Sequence, residues 1–404
     1  MTHNKSQQNE KIRCMILAGE ASGDMHGGNL ARELFKKFGP KLELFGFGGP
    51  HLRQAGAKIL HDISDLAMIG FIEVIKNYWK LRRYFKELEE IFEKNPPDFL
   101  ILIDYPGFNV QIAKLAKRYK IPVFYYICPQ VWAWNRGRVH SIVKIVDKII
   151  AVFPFEVKIW REAGADVDYF GHPLLEVVNS IENAPSLNKI YGIKETDLVL
   201  SILPGSREQE IFNMLPVMLE AIEKLQHDMP NLRAFLPLAA NIDKQIISPI
   251  LENARAKLQI LDNSTYEILT CSDIAIVASG TATLETAILT RPMIIVYKTT
   301  FLNWLISKFL LTLNHIGLPN ILAGRKIVPE YIQGEFNSSN IYIEAKKILT
   351  DKRHAQEMQK ELLKIKETLG EVGASAKIAS SIHQFMTKKI GHKFSFNPGE
   401  SRLE

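Results

Sequence analysis

The 404-residue sequence has few cysteines and no long apolar run. Its three cysteines, Cys14, Cys128 and Cys271, lie in apolar surroundings at no metal-ligand spacing, which argues against a disulfide framework or a zinc site. No apolar segment approaches the ~20 residues that a membrane-spanning helix needs. The polar residues 1–11 lack the apolar core of a signal peptide. We therefore expect a protein of the reducing cytosol.

Two common phosphate-binding motifs are also absent. The loop after the first apolar segment, residues 19–28, is rich in glycine, but its spacing does not match the dinucleotide fingerprint and no Gly-Lys-Ser/Thr follows it. Because Glu20 and Asp24 would repel phosphate, we assign this loop to a hydroxyl-bearing ligand. The alternative is a loop that only closes a strand–helix turn.

The bulk composition is that of a globular protein with two domains. Hydrophobic residues make up 47% and charged residues 23% of the chain, and its length exceeds one ordinary core. The net charge of +6 allows an acidic partner without naming it, so nucleic acid, an anionic membrane and a phosphorylated substrate all remain open at this point.

Short apolar segments alternate with helical patterns along most of the chain, which predicts α/β domains with parallel sheets. We place an N-terminal domain at residues 1–179, a polar linker at 180–196 and a C-terminal domain at 197–370. Residues 371–404 are expected to form a helix, with the option of packing back on the N-terminal domain, and a tail.

Asp104 directly follows the fully apolar segment Phe99–Ile103. Ligands of open α/β sheets bind at the carboxyl ends of strands, so we interpret Asp104 as a candidate general base. It could instead cap a helix that begins near Asn109.

An aromatic and basic cluster follows the predicted strand Val123–Ile127. Trp132, Trp134 and Arg136 lie close together there and could offer a stacking face for a sugar and donors for a phosphate. They could equally pack the edge of a domain core.

The segment 66–92 has apolar residues at helical spacing, with cationic residues between them. Trp79 beside Arg82 and Arg83 is typical of a helix that lies in an anionic membrane interface. Trp304, in the apolar segment 301–313, could extend this patch. The alternative is a core helix with a solvated basic side.

The stretch 274–298 predicts a strand, a tight turn, a helix and a second strand. Ser279, Gly280 and Thr281 occupy the turn, where the free N–H groups of the helix could bind an anion. Glu285 in the same helix could accept two ribose hydroxyls. An ordinary capped turn with a surface glutamate is the alternative.

Two further residues are candidates for nucleotide contacts. Arg207 follows the strand 198–203 and could clamp a diphosphate, unless it is only a surface turn arginine. Asn320 is a plausible amide contact to a base or phosphate. We reject a metal site at Asp166 and Asp168, which lack a third ligand, and interpret His172 as structural.

Seven segments together resemble the lipid-A-disaccharide synthases, glycosyltransferase family 19, which join two acylated glucosamine units in Gram-negative bacteria. The resemblance covers about residues 14–335. It rests on residues 18–24 (AGEASGD), 104–109 (DYPGFN), 131–134 (VWAW), 170–173 (FGHP), 203–207 (LPGSR), 278–285 (ASGTATLE) and 318–324 (LPNILAG). Gly107 and Cys128 depart from the pattern, the former where some members carry a second acidic residue.

The resemblance implies the GT-B architecture, in which two Rossmann-like parallel-sheet domains face a cleft that closes for catalysis. It also implies inverting transfer from UDP-2,3-diacylglucosamine to 2,3-diacylglucosamine 1-phosphate, without a metal ion or other cofactor. The expected location is the cytoplasmic face of the inner membrane, with peripheral contact, no nucleic-acid partner, and a homo-oligomer compatible with the sequence. A UDP-sugar epimerase of the same fold and a non-catalytic membrane-binding protein are the rival hypotheses.

The resemblance also assigns the site residues. Asp104 is the implied base, and the implied donor site comprises Arg207, Ser279, Gly280, Thr281, Glu285 and Asn320. The implied acceptor site comprises Gly19, Glu20, Ser22, Gly23, Asp24, Trp132, Trp134 and Arg136.

Overall fold

The computed structural model describes residues 11–63, 78–129, 131–134, 136–182, 187–238, 242–262, 264–299 and 315–390. Its contacts divide the chain into an N-terminal unit, residues 1–173 with 371–404, and a C-terminal unit, residues 174–370. The boundary therefore falls before the polar segment 180–196 that the sequence suggested as a linker. That segment begins inside the helix Leu174–Glu182, which contacts helices of the C-terminal unit.

The N-terminal unit contains a parallel sheet in the order β3-β2-β1-β4-β5-β6-β7. Its strands are β1 Ile12–Ala18, β2 Leu42–Gly48, β3 Lys58–Asp62, β4 Phe99–Ile103, β5 Val123–Tyr126, β6 Lys148–Ala151 and β7 Val167–Tyr169. Its α-helices are Ala21–Phe38, Pro50–Gln54, Tyr78–Lys94, Pro106–Arg118, Val131–Trp134, Val139–Val143, Pro154–Glu162 and Ala374–Ile390.

The central strands of this sheet are apolar because both faces are covered. All five residues of β4 are buried, as expected for a parallel strand between two helical layers. The helix Ala374–Ile390 belongs to this unit and packs on the helix Ala21–Phe38, where the rings of Phe38 and His383 lie 5.0 Å apart.

The C-terminal unit has a parallel sheet in the order β10-β9-β8-β11-β12-β13. Its strands are β8 Leu198–Leu203, β9 Leu232–Leu238, β10 Leu258–Asp262, β11 Ile274–Ala278, β12 Met293–Tyr297 and β13 Glu330–Ile332. Its α-helices are Leu174–Glu182, Leu187–Ile190, Glu208–Asp228, Lys244–Glu252, Thr265–Cys271, Thr281–Ile288, Leu318–Ala323, Ser338–Thr350 and Lys352–Thr368. Two parallel-sheet units confirm the predicted α/β class.

Candidate active site

The strand order of the N-terminal sheet reverses between β1 and β4. Such a reversal is called a switch point, and ligands of open α/β folds bind there. Ala18 and Ile103 are paired at the carboxyl ends of these two strands, so the segments that follow them meet. Gly19 lies so close to Tyr105 that a Cβ atom at position 19 would overlap the Tyr105 ring. Only glycine permits this approach.

Asp104 and Tyr105 have left-handed backbone conformations, with φ of 48° and 47°. This is uncommon for aspartate and a strained state for a bulky tyrosine, at about 1–3 kcal/mol for each such residue. Surrounding hydrogen bonds hold the conformation. The Asp104 carbonyl accepts from Asn109 Nδ2 at 2.8 Å and from the Tyr125 hydroxyl at 3.0 Å, while Asp104 N donates to the Tyr126 carbonyl at 3.2 Å.

The Asp104 carboxyl group is poised to exchange a proton near neutral pH. Burial raises its pKa from 3.8 to about 7, the charge of Glu20 adds to the rise, and a hydrogen bond from the Tyr105 N–H opposes it. A general base works best with a pKa near the operating pH. The raised pKa keeps Asp104 a candidate for proton transfer.

Asp24, expected to contact a ligand, has a structural position instead. It is fully buried, and its two carboxylate oxygens accept hydrogen bonds from the backbone N–H groups of Gly49, His51 and Leu52 at 2.7, 2.9 and 3.1 Å. These bonds cap the helix Pro50–Gln54. Asp24 therefore has a structural role, and its assignment to the acceptor site stays a prediction.

The other residues of the glycine-rich loop lie beside Asp104 or at the start of the following helix. Glu20 is the N-cap residue of the helix Ala21–Phe38, and it is close enough to Asp104 to raise the pKa of that carboxyl group. Ser22 is partly exposed in the first turn, whereas Gly23 is buried against Ala18 and Ile103.

Trp132 does not present an open stacking face. Its side chain is only 6% exposed, and its indole Nε1 donates to Glu156 Oε1 at 3.0 Å. Glu156 also accepts from the N–H groups of Val152 and Phe153, and burial raises its pKa to about 7. The alternative of a core-edge tryptophan is the one that the structure supports. Of Trp134 and Arg136, only the backbone is described.

The residues that we regarded as structural or rejected as ligands have structural contacts. Lys148 Nζ lies 2.9 Å from Asp166 Oδ1 and 3.0 Å from Asp168 Oδ2, so both carboxylates have a cationic partner. His172 is buried against Phe153 and His26, and this burial lowers the pKa of His172 to about 3. Among the described residues, no group of three or more His, Cys, Asp and Glu is placed to hold a metal ion.

The C-terminal sheet also has a switch point, between β8 and β11, where Leu203 pairs with Val277. The helices Glu208–Asp228 and Thr281–Ile288 begin just beyond these two strand ends. Helix N-termini carry free N–H groups and partial positive charge, so this edge suits a phosphate.

Gly280 leaves the second of these helix starts open. Its φ is 156°, and no atom lies within 4 Å of the position where a Cβ atom would be. Thr281 is exposed beside it. The neighbouring Ser279 is already engaged, since its Oγ donates to the Ile316 carbonyl at 2.9 Å. Ser279 can thus offer a ligand its backbone but shares its hydroxyl with the 315–317 loop.

Arg207 lies at the N-cap of the helix Glu208–Asp228, with a side chain that is 47% exposed. Its Nη1 is 2.9 Å from Glu210 Oε1. Glu210 lies beneath the turn, because a Cβ atom at Gly205 would collide with Glu210 Oε2. Sequence reasoning missed Glu210, although its position three residues after Arg207 predicts such a helical ion pair.

Glu285 has a partner from a neighbouring helix. The Tyr266 hydroxyl donates to Glu285 Oε1 at 2.9 Å. Burial raises the pKa of Glu285, and the bond from Tyr266 opposes that rise. Sequence reasoning did not single out Tyr266, and nothing in its local pattern could have done so.

The Asn320 side chain is also engaged within the fold. Its carboxamide is fully buried: Oδ1 accepts from the N–H groups of Ile327 and Val328, and Nδ2 donates to the Val328 carbonyl and to Glu330 Oε1. Four bonds occupy the amide, which gives Asn320 a structural role, and the expected contact of this residue with a nucleotide stays a prediction. Glu330, which we missed, also accepts from the N–H groups of Ile316 and Gly317.

The helix Tyr78–Lys94 has features of both a core helix and a membrane-interface helix, the two alternatives predicted for the segment 66–92. Tyr84, Leu88 and Phe92 are buried in the core of the N-terminal unit, as in a core helix. At the start of the helix, however, Trp79 is 71% exposed and the Arg82 guanidinium lies 5.6 Å from its ring centroid. Arg83 is also exposed. Trp304 and residues 64–77 lie outside the described residues.

None of the described helices combines the length and the apolar composition that crossing a bilayer requires.

A sequence model of a known family matches most of the chain. The matched residues are 14–383, and the family is described as "Lipid-A-disaccharide synthetase". A lipid-A-disaccharide synthase of Geobacter sulfurreducens is 38% identical over 383 residues, which cover 95% of this chain and 100% of the relative. One from Nitrosococcus oceani is 40% identical over 364 residues, 90% of this chain and 94% of the relative.

Solved structures extend the likeness to the fold. A UDP-GlcNAc 2-epimerase from Neisseria meningitidis, bound to UDP-GlcNAc, superposes with a TM-score of 0.64 at 13% identity, covering 93% of this chain and 100% of the epimerase. At that identity the likeness concerns architecture alone, and it confirms the predicted GT-B class of two parallel-sheet domains.

Proposed function

The chain belongs to the lipid-A-disaccharide synthase family of hexosyltransferases, and from that premise we propose its substrates and the roles of its residues. The donor is UDP-2,3-diacylglucosamine and the acceptor is 2,3-diacylglucosamine 1-phosphate. The products are the β-1,6-linked disaccharide 1-phosphate and UDP. The observation that carries the proposal is the pair of switch points, one holding a strained carboxylate and the other holding helix N-termini and an arginine.

Inversion at the anomeric carbon requires a base for the attacking hydroxyl. In the proposed step, the Asp104 carboxylate takes the proton of the acceptor 6-hydroxyl as its oxygen attacks the anomeric carbon. The bond from that carbon to the UDP oxygen then breaks with its electron pair. The raised pKa of Asp104 supports this role, because it makes the carboxylate a stronger base than an exposed aspartate.

The leaving diphosphate gains negative charge during this step. We assign its stabilisation to the guanidinium of Arg207 and to the backbone N–H groups at Gly280 and Thr281, with Ser279 contributing its backbone. One well-placed donor of this kind is typically worth roughly 3–4 kcal/mol. Arg207 pairs with Glu210, and a diphosphate would compete for the same guanidinium.

The remaining roles follow from position. Glu285, oriented by Tyr266, is proposed to accept the ribose hydroxyls. The acceptor sugar is proposed to lie beside Gly19, Glu20 and Ser22, near Asp104, and Trp134 and Arg136 remain candidates for its phosphate. No metal ion is part of the proposed step, so turnover should survive incubation with a chelator.

We also propose peripheral contact with the cytoplasmic face of the inner membrane. Both substrates carry acyl chains, and Trp79 with Arg82 and Arg83 offers an exposed aromatic ring beside cations. Wild-type protein should pellet with anionic vesicles, and a variant with Trp79 and Arg83 replaced by alanine should pellet less. Equal recovery of the two would contradict this contact.

The decisive experiment follows UDP and the lipid product in the same reaction. UDP should appear only when both acylated substrates are present, together with a disaccharide resolved by thin-layer chromatography. UDP release or sugar conversion without the acceptor would contradict the transferase proposal and favour epimerase chemistry.

A further inference from the structure

We infer that Tyr125 is a positioning residue for Asp104, acting through the peptide bond that joins Asp104 to Tyr105. This inference rests on the proposed function, since it concerns how the carboxylate of the proposed base is aimed. The Tyr125 hydroxyl lies on β5, adjacent to β4, and donates to the Asp104 carbonyl at 3.0 Å.

The peptide bond between Asp104 and Tyr105 is held on both sides. Its carbonyl accepts two hydrogen bonds, from Tyr125 and from Asn109 Nδ2, which fills both lone pairs. Its N–H, that of Tyr105, hydrogen-bonds to the Asp104 carboxylate. Because the carbonyl and the N–H belong to one rigid plane, fixing the carbonyl also fixes the direction of the N–H.

Without these two hydrogen bonds, rotation of the peptide plane between Asp104 and Tyr105 would be favourable. The positive φ of Tyr105 is unfavourable for a bulky residue, and turning the peptide plane changes φ at 105 together with ψ at 104. Rotation would relieve Tyr105 and take its N–H away from the carboxylate. The two donors to the carbonyl oppose that rotation, and so keep the carboxylate hydrogen-bonded in one orientation.

Tyr125 suits this task better than a simple core residue would. Its side chain is fully buried and burial raises the pKa of its phenol, so the group stays protonated as a donor at neutral pH. A phenylalanine would fill the same core space. The hydroxyl therefore adds a single directed hydrogen bond to the peptide beside the proposed base.

The test compares Tyr125→Phe with wild type and with Tyr84→Phe, which removes the hydroxyl of another buried tyrosine in the same unit. We expect kcat at pH 7 to fall about fivefold, the equivalent of one neutral hydrogen bond, with KM and the UDP affinity unchanged. Thermal midpoints of the two variants should be similar. Tyr84→Phe should keep the wild-type kcat.

The pH profile distinguishes positioning from a merely structural role. The groups close to the Asp104 carboxyl are Glu20, Tyr105, Tyr125 and Cys128. Loss of the Tyr105 N–H bond removes an interaction that lowers the Asp104 pKa, so the acidic limb of kcat in Tyr125→Phe should move to higher pH. A wild-type kcat and profile, or a lower kcat with an unmoved limb, would overturn the inference.

A double-mutant comparison separates this inference from the proposed function. In an Asp104→Asn background, Tyr125→Phe should cause no further loss of residual turnover, because Tyr125 acts through Asp104. If Asp104→Asn keeps wild-type activity, the base proposal fails and the inference fails with it. If Asp104→Asn is inactive but Tyr125→Phe behaves as wild type, only the inference fails.

Discussion

Each of the two switch points lies at the carboxyl ends of two strands in a parallel sheet, but the charged residues beside them differ in sign. In the N-terminal unit, the segments after β1 and β4 carry Glu20 and Asp104, and Glu20 is close enough to raise the pKa of Asp104. In the C-terminal unit, the segments after β8 and β11 carry Arg207 and the open helix start beside Gly280. A parallel sheet thus supplies a place for chemistry, and the residues after each strand decide which chemistry it is.

The two regions also differ in rigidity. Asp104 is held by four hydrogen bonds to its backbone and carboxylate and stays in a strained conformation. Arg207 is half exposed and makes one ion pair with Glu210. This contrast is what a proposed base and a proposed phosphate clamp require, because a base must be aimed whereas a cation can adjust to its ligand.

The largest effect should come from removing the base. Asp104→Asn is expected to lower kcat by about 10²–10⁴-fold, the usual contribution of general base catalysis, and to leave the UDP dissociation constant unchanged. Steady-state kinetics and calorimetry measure the two. Asp62→Asn, at an exposed ion pair in the same unit, is the control and should keep full activity. Substantial turnover in Asp104→Asn would contradict the assignment of Asp104 as the general base.

Arg207→Ala should act in the opposite way, on binding. We expect the dissociation constant for UDP to rise about tenfold or more, because one charge-assisted contact to the diphosphate is lost. Arg325→Ala removes another arginine that is ion-paired in the same unit and should leave UDP binding unchanged. Unchanged calorimetric affinity in Arg207→Ala would rule out the clamp.

Asn320→Ala tests whether this residue supports the site or contacts the ligand. It leaves the N–H groups of Ile327 and Val328 without their buried acceptor and removes one of the donors to Glu330, so we expect the free energy of unfolding to fall by about 2 kcal/mol. UDP binding should weaken along with it. Weaker UDP binding at an unchanged free energy of unfolding would favour a direct contact between Asn320 and the nucleotide.

The smallest effect concerns stability and pH. The pKa of Asp104 rises from 3.8 to about 7 on folding, so between these values the folded protein binds more protons than the unfolded chain. The free energy of unfolding therefore falls as the pH rises through this window. The amide introduced by Asp104→Asn does not ionise, so this variant should melt roughly 3 °C above wild type at pH 8 for each kcal/mol recovered.

The difference in melting temperature should shrink as the pH falls towards 4, where the wild-type carboxyl group is largely protonated in the folded state and partly so in the unfolded chain. Differential scanning fluorimetry across this range is sufficient. A constant difference would mean that the gain does not come from ionisation.

The sequence predicts the central strands well and the edge strands poorly. β4 and β8 were predicted with their observed bounds, because all of their residues except Ser201 are apolar and nearly all are buried. β3, β7 and β13 were not predicted. Each is three to five residues long at or near a sheet edge, and is only partly buried, so its pattern is not distinct from that of a loop.

The site divides in the same way. Strand order brings the segments after β1 and β4 together, and those after β8 and β11, at the strand ends where the sequence predicted function. The structural contacts of Asp24, Trp132 and Asn320 could not be predicted, because a polar or aromatic residue in a turn can serve a ligand or the fold. The role of such a residue depends on a hydrogen-bond partner from another part of the chain, which the local sequence does not reveal. These partners are the Gly49 N–H, the Glu156 carboxylate and the Val328 backbone.

The helix Ala374–Ile390 also bears on how the protein folds during synthesis. Phe385 packs on Phe124 and Ser381 bonds to Asp168, so the N-terminal unit needs a segment that leaves the ribosome after the whole C-terminal unit. The C-terminal unit is continuous in sequence, from residue 174 to residue 370. The half of the protein that is made second can therefore finish folding first, while the half that carries Asp104 waits for its last helix.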